Sequence, residues 1–493
     1  MTALTCTAPA EGRQHCAVNT SAGVLMKRAL SESSCLLGKT WGYDDQGVWV
    51  KDGCSAEFVV TVPPGSAAPA GAVAVAAPVS TESAVATEQT PEAAPAHETW
   101  GVLDPGKGFL LGRNEFGEAS LSGYALIRYI NQMDSDEVFT DHLGRTKEVD
   151  GRNDIYSHRV LVWLNGWVAD PKLRYTITWW TVTDTDQDAL FGNLGYQFSD
   201  AFNLYGGVFG NPGSRSMQGS HPYWLGHDRV MADEFFRPFF TQGLYANGTV
   251  APGVWYSASV GNTSSTLGTT STQLDRKFTY GGSVWWMPTT EEFGPRGAYG
   301  DWEYHEEVST RFGLSAVFSP EERYTDIGTA SGNTSLKLAD GLNVFETGAL
   351  ANGVTVQNVD YHIFSVDAGV KYKGMFLQAE YYQRRLENFR GDGALPVNKI
   401  DDNGFYVQAA FYPKPKVVEV YVATSQIYGD KSAGFDNSAE YILGSNYYPF
   451  ETRNHRLNLQ YQRVVESPVG SSFGYYVAGQ NGNTIAASFS VFF

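Results

Sequence analysis

The chemistry-bearing residues of this chain sit at every second position. Short segments of strict alternation place Arg128, Arg159, Arg174, Lys277, Arg311, Lys371, Arg384 and Arg456 on the face opposite an apolar one. On that same face fall the acids Asp367, Glu380 and Glu419, with Glu440 beside them. A segment between two such strands, Asn211 to Arg237, carries Arg215, His221, His227, Arg229 and Arg237 against Asp228, Asp233 and Glu234. It also holds Tyr223, Trp224, Phe235 and Phe236. A basic lining of this kind stabilises a desolvated anion and disfavours a cation. The bland alternatives are that these cations are neutralised pairwise by nearby acids, and that Asn211 to Arg237 is a surface loop packed on its neighbours. Catalysis has no comparable support. His142, His158, His221, His227, His305, His362 and His455 are scattered, and no GxSxG, HExxH or paired nucleophile and base is present, so no catalytic residue is expected.

The totals constrain the class. In 493 residues, 53 acids outnumber 35 basic residues for a formal charge of −18, which disfavours nucleic acid as a partner. Aromatics reach 14% while charged residues are only 18%, a balance that suits a sheet whose outward side chains alone must be apolar. No run of about 18 apolar residues exists, so a transmembrane helix is not expected. The start, Met1 to Cys6, lacks the basic and apolar parts of a secretory signal, so an exported chain would be numbered from after its removal. Cys6, Cys16, Cys35 and Cys54 all fall in the first 60 residues. An even number in so short a segment predicts two disulfides in an oxidising compartment, with three pairings open. Zinc is the alternative, but there is no CxxC pair and His15 is the only local histidine, so no metal is assigned.

These residues are carried by three regions. Residues 1–60 alternate short β-runs with turn residues and predict a small disulfide-bonded β domain. At least two of Trp41, Tyr43 and Trp49 are expected in its core, because so small a domain has little else to bury; the alternative is a sugar-stacking surface. Residues 61–98 are Ala, Pro, Val, Ser, Thr and Glu, a linker able to reach on the order of 100 Å. Residues 99–493 alternate between one apolar and one polar face in segment after segment, as in Phe364 to Tyr372 and Arg456 to Tyr461. About sixteen strands are predicted from Glu118 to Phe493, with residues 319–358 holding either one long loop or an extra pair. Tight turns such as Lys373-Gly374 interleave with long connections, among them 133–153, 211–237 and 288–307, which places the long ones together at one end. Clusters at segment ends, such as Trp163, Trp179, Trp180, Trp286, Tyr381, Tyr382, Tyr447 and Tyr448, predict aromatic girdles. The acidic excess lies largely in connections, at Asp134, Asp136, Asp184, Asp186, Glu291, Glu292, Glu303, Glu306 and Glu307. Most of these are expected to be solvated, with at best a weak calcium site and no other cofactor.

The last strand, Thr484 to Phe493, sets Ile485, Ala487, Phe489, Val491 and Phe493 on one face and Ala486, Ser488 and Ser490 on the other. An aromatic final residue on such a strand resembles the outer-membrane β-barrels of Gram-negative bacteria. The stretch from Cys35 through Trp41-Gly42-Tyr43-Asp44, Val48-Trp49-Val50 and Gly53-Cys54 to Phe58 resembles secreted bacterial domains of the DUF3011 type, which implies no established activity. Gly108 to Leu111 with Glu115 to Gln132, Phe239 to Gly248 with Pro252 to Tyr256, and Ala368 to Gly374 with Ala379 to Tyr382 resemble the phosphate-selective porin O/P-type family. That resemblance implies an all-β chain: a sixteen-stranded transmembrane antiparallel barrel, trimeric, whose third loop folds inward and narrows the pore. Asn211 to Arg237, by its length, its aromatics and its position after the fifth strand, is the candidate for that constriction loop, with Arg215, His221, His227, Arg229 and Arg237 in it. It implies an outer-membrane location among lipid and lipopolysaccharide, with residues 1–60 in the periplasm. No dense Arg/Lys loop cluster singles out phosphate. The expectation is passive diffusion of small hydrophilic solutes with an anion preference. The alternative is a structural tether in which residues 1–60 bind peptidoglycan.

Overall fold

A computed structural model describes residues 2–10, 12–18, 20, 24–31, 35, 39–44, 47–60, 108–133, 137–182, 187–219, 222–263, 277–325, 329, 331–333, 336–470 and 475–493. The expected linker, 61–98, lies outside them, as does His221. The chain divides into two compact units, Met1–Glu92 and Ala93–Phe493.

The first unit holds β1 (Thr2–Thr7), β2 (Arg13–Ala17), β3 (Val24–Ala29), β4 (Trp41–Asp44), β5 (Gly47–Lys51) and β6 (Ser55–Val60). They form two three-stranded sheets, ordered β1-β6-β3 and β2-β5-β4. The pairing left open by the sequence is Cys6–Cys16 and Cys35–Cys54. Val48, Val50, Ala56, Phe58 and Val60 form the core with both disulfides beside them. Of the three aromatics, only Trp41 belongs there, 4.9 Å from the Phe58 ring. Tyr43 is 47% exposed, and Trp49 is half-buried with Arg13 over its ring at 4.3 Å. The expectation of two core aromatics is corrected. The disulfides occupy part of the small interior, and Tyr43, although it shares a face of β4 with Trp41, lies near the end of that short strand and stays exposed.

The second unit opens with a hairpin of β7 (Phe109–Asn114) and β8 (Gly117–Gln132), then a small hairpin of β9 (Glu137–Thr140) and β10 (Thr146–Val149). There follow β11 (Asn153–Val168), β12 (Asp170–Val182), β13 (Gln187–Ser199) and β14 (Phe202–Gly210). A short helix, α1 (Met231–Phe236), interrupts the pattern before β15 (Phe240–Ala251), β16 (Val254–Gly261), β17 (Thr279–Trp286) and β18 (Ser309–Glu322). The last strands are β19 (Val356–Tyr372), β20 (Met375–Gly391), β21 (Lys399–Lys414), β22 (Val418–Tyr428), β23 (Asn437–Tyr447), β24 (His455–Val465) and β25 (Gly482–Phe492). Each pairs antiparallel with the next, and β25 returns to β8 with Val491 opposite Ala125 and Ala487 opposite Tyr129. The ring of β8 and β11 to β25 is a closed sixteen-stranded barrel. β7 continues the line of β25 along β8, and Phe493 exchanges backbone hydrogen bonds with Gly123 at the junction. Among the described residues of 323–355 there is one isolated bridge, Lys337 with Asn343, and no extra strand pair.

Side-chain period fixes the register, because a one-residue slip would turn every apolar side chain inward. Ile127, Leu190, Leu244, Leu314, Leu377, Leu443 and Leu459 all point outward and are exposed. Their neighbours of opposite parity point inward. The aromatic clusters split the same way: Trp179, Trp286, Tyr381 and Tyr447 are exposed on the outer surface, while Trp163, Trp180, Tyr382 and Tyr448 are buried inside. The girdle expectation is corrected for those four, since adjacent residues of a strand cannot share a face.

One connection is at the other end from the one expected. Counting around the ring, the β17–β18 connection, 287–308, shares its end with the tight turns at 200–201, 252–253 and 373–374. Contacts agree: Gly374 N donates to Asp301 Oδ2 at 2.7 Å and Lys373 N to His305 O at 2.8 Å. Length alone had grouped 288–307 with the long loops.

Candidate functional site

The inner surface of the barrel has two unlike walls. From Leu173 onward, the described ladders of β12 to β17 turn a single charged side chain inward, the half-buried Arg174. The other inward residues of this wall are small, amide or aromatic. Asn193, Gln197, Asn203, Asn247 and Ser259 are half-buried, Tyr205 stacks on Tyr245 at 5.2 Å, and Trp255 lies parallel to Trp285 at 6.4 Å.

The remaining wall, β18 to β25 with β8 and β11, is charged and covered. Arg128, Arg159, Arg311, Lys371, Arg384 and Arg456 all point inward and are buried, as the alternation predicts. Lys277 does not join them: it is exposed in the segment before β17, two residues short of the ladder. What covers the wall is the segment 211–239, which crosses the lumen. Its described residues are buried apart from the half-buried Gln218, Tyr223, Asp228 and Phe239.

The segment is held by polar groups that the lumen would otherwise show to solvent. Arg215 N donates to Glu380 Oε1 at 2.9 Å. Met231 N, at the start of α1, donates to Glu440 Oε2 at 2.8 Å, and Ala232 N to Ser425 Oγ at 3.2 Å. These wall groups satisfy amides that the first helical turn leaves without an intrahelical partner. His227 Nδ1 lies 2.6 Å from Ser488 Oγ, and Tyr382 OH lies 2.7 Å from Glu380 Oε2 and 3.1 Å from Asp233 Oδ1.

Most of the cations are matched by acids. Arg311 Nε lies 3.0 Å from Asp367, Arg384 Nε 3.0 Å from Asp402, and Arg159 Nη2 3.1 Å from Asp228. Arg229 lies 3.4 Å from Asp233, and Arg237 lies 2.7 Å from Glu234. Burying these charges is tolerable because each has an opposite charge and hydrogen bonds. Arg456 instead donates to the carbonyls of Trp224 and Gly226, and Arg128 lies 4.9 Å over the Tyr475 ring. Sequence reasoning missed two inward, buried acids, Asp402 and Glu321. Asp402 has the parity of Gln408 on the same strand, so the alternation already contained it.

A third group of polar residues lies in the connection 287–308. His305 Nδ1 faces Asp301 and its Nε2 lies 2.6 Å from Glu292 Oε1. Hydrogen bonds to Asp301 and then to Glu292 push the His305 imidazole up to about 9. Asp301, Glu303 and His305 bring one ligand atom each within 4.8 Å of one another. With both ring nitrogens engaged by carboxylates, this cluster is an internal ion-paired knot.

Residues 3–96 match the family described as "Protein of unknown function (DUF3011)". No curated protein matches the chain. Among solved structures it is similar to outer-membrane expressed OmpT of Vibrio cholerae at 11% identity, over 78% of this chain and 100% of that one, with a TM-score of 0.47. It is similar to an anion-selective porin from Comamonas acidovorans at 13% identity, over 76% and 100%, TM-score 0.45. It is similar to Salmonella typhi OmpF in complex with daunomycin at 13% identity, over 78% and 99%, TM-score 0.44.

Proposed function

We propose that this protein is an outer-membrane porin for passive diffusion of small hydrophilic solutes, and that the solutes pass along the neutral wall of β12 to β17 with a preference for anions. The observation that carries this is the division of the lumen. Paired, buried charges lie under the segment 211–239, and from Leu173 onward, among the described residues, a partly accessible wall of amides, hydroxyls and aromatics carries one charge, that of Arg174. The apolar outer surface supports a membrane location, since a barrel leaves no sheet edge for lipid to meet. The preference is for anions as a class, with phosphate not distinguished from other small anions. The end with tight turns faces the periplasm in this reading.

Single cysteines on the two walls test it in the purified full chain. Modification of Asn203→Cys or Asn247→Cys by a charged, membrane-impermeant thiol reagent is expected to reduce channel current, whereas Gln378→Cys on the covered wall stays unreactive. Equal block from both walls, or from the covered wall alone, would contradict the assigned path.

A further inference from the structure

We propose that the β17–β18 connection, residues 287–308, is a second constriction that enters the lumen from the tight-turn end and sets the channel's size limit together with the segment 211–239. This rests on the porin reading above. Neighbouring connections at that end are no longer than 448–454, and this one exceeds all of them. A long hydrophilic connection ordinarily stands in solvent. Here Phe293, Ala298, Tyr299 and Asp301 are buried.

The connection is pinned by groups of the inner wall. Lys371 Nζ donates to Phe293 O at 2.7 Å, and Tyr299 OH lies 3.0 Å from Tyr406 OH. The Arg453 guanidinium donates to Tyr299 O. Two wall cations that the alternation or the adjacent turn aims at the lumen are thus spent on loop carbonyls, which removes them from the solute path. The connection also reaches the other inward segment. Tyr299 N donates to Tyr223 O at 3.0 Å, and the Arg215 guanidinium donates to Gly297 O. Two segments from opposite ends of the barrel therefore meet main chain to main chain in the lumen. Neither can retract without breaking buried hydrogen bonds, each of which leaves a desolvated polar group behind.

The test compares the full chain with two variants in planar bilayers. One replaces residues 289–307 by Asn-Gly. The other, Arg453→Ala with Tyr299→Gly, keeps the connection and removes two of its anchors. Both are expected to raise single-channel conductance roughly twofold or more and to admit larger neutral polymers, because a pore's conductance follows its narrowest section. Should the shortened chain fail to assemble, the anchor variant decides alone. An independent readout is Ala298→Cys: the native cysteines are all in disulfides, so one impermeant maleimide reports on this position. It is expected to be protected in the otherwise native chain and labelled in the anchor variant. Unchanged conductance and solute size in a variant that assembles would overturn the proposal. A native chain and variants that are all silent would overturn the porin reading itself, a result separable from an unchanged conductance.

Discussion

Asp367 Oδ1 lies 3.0 Å from Arg311 Nε and 3.9 Å from Arg215 Nε, so one wall carboxylate serves an arginine of its own wall and an arginine of the segment that crosses the lumen. All three groups are buried. The wall charge is therefore part of what holds the inward segment in place.

Removing that carboxylate should be costly. Asp367→Ala leaves two buried guanidiniums facing each other and takes an acceptor from Gln378, whose Nε2 lies 3.2 Å from Asp367 Oδ1. Loss of one partner from a buried ion pair costs about 3–5 kcal/mol. The barrel ladders are untouched, so the segment 211–239 should become protease-sensitive while heat-modifiable migration persists. Unchanged protease resistance would contradict the role given to Asp367.

Arg174 should dominate charge selectivity. A unit charge about 5 Å from a solvated ion is worth about 0.8 kcal/mol in water, roughly a fourfold change in permeability ratio. Arg174→Ala should lower the anion preference by about that factor, and Arg174→Glu should reverse it. Arg384→Ala, on the covered wall beside Asp402, should leave it nearly unchanged. Reversal potentials under a salt gradient distinguish these outcomes.

Most of the barrel is legible in the alternation of its strands. Ile485 and Ser488 already distinguish the outward face of the last strand from the inward one, and the same parity turns Arg128, Arg311 and Arg384 inward. Alternation says which way a side chain points, and nothing about what packs against it. It could not show that Arg384 lies against Asp402 or that 211–239 hides one whole wall, whereas the interior position of Trp180 was already implied by its parity with Arg174. Nor could it place 288–307, since length does not reveal the end of the barrel from which a connection leaves. In the first unit, cysteine number predicted the disulfides, but their pairing depended on which strands become neighbours.

The knot around His305 predicts a pH window. Its folded value, about 9, stands above the ordinary histidine value near 6.5. The stability it contributes is therefore fully present below about pH 6.5 and is lost as pH rises through about 9. Burial works against ionisation of Asp301 and Glu292, but hydrogen bonds, those from His305 foremost, outweigh it and hold both carboxyls below their usual range. Their contribution is present above that range and is lost only in stronger acid. The connection 287–308 should be best protected from hydrogen exchange between about pH 5 and 6.5 and progressively less so towards pH 9. His305→Gln should flatten the alkaline limb.

Reduction should act on the first unit alone. Each of Cys6–Cys16 and Cys35–Cys54 closes a short loop, worth about 3 kcal/mol in a chain-entropy account. With so small a core beside them, reduction should unfold residues 2–60 and leave barrel migration in gels unchanged. Retained near-ultraviolet signal from Trp41 after full reduction would contradict this.

The most direct test of the account is the zero-current potential of the purified chain in a planar bilayer separating two potassium chloride concentrations. An anion-preferring pore gives discrete conductance steps and a potential whose sign shows chloride moving more freely than potassium. Steps with the opposite sign, or a membrane that stays silent with folded protein inserted, would contradict it.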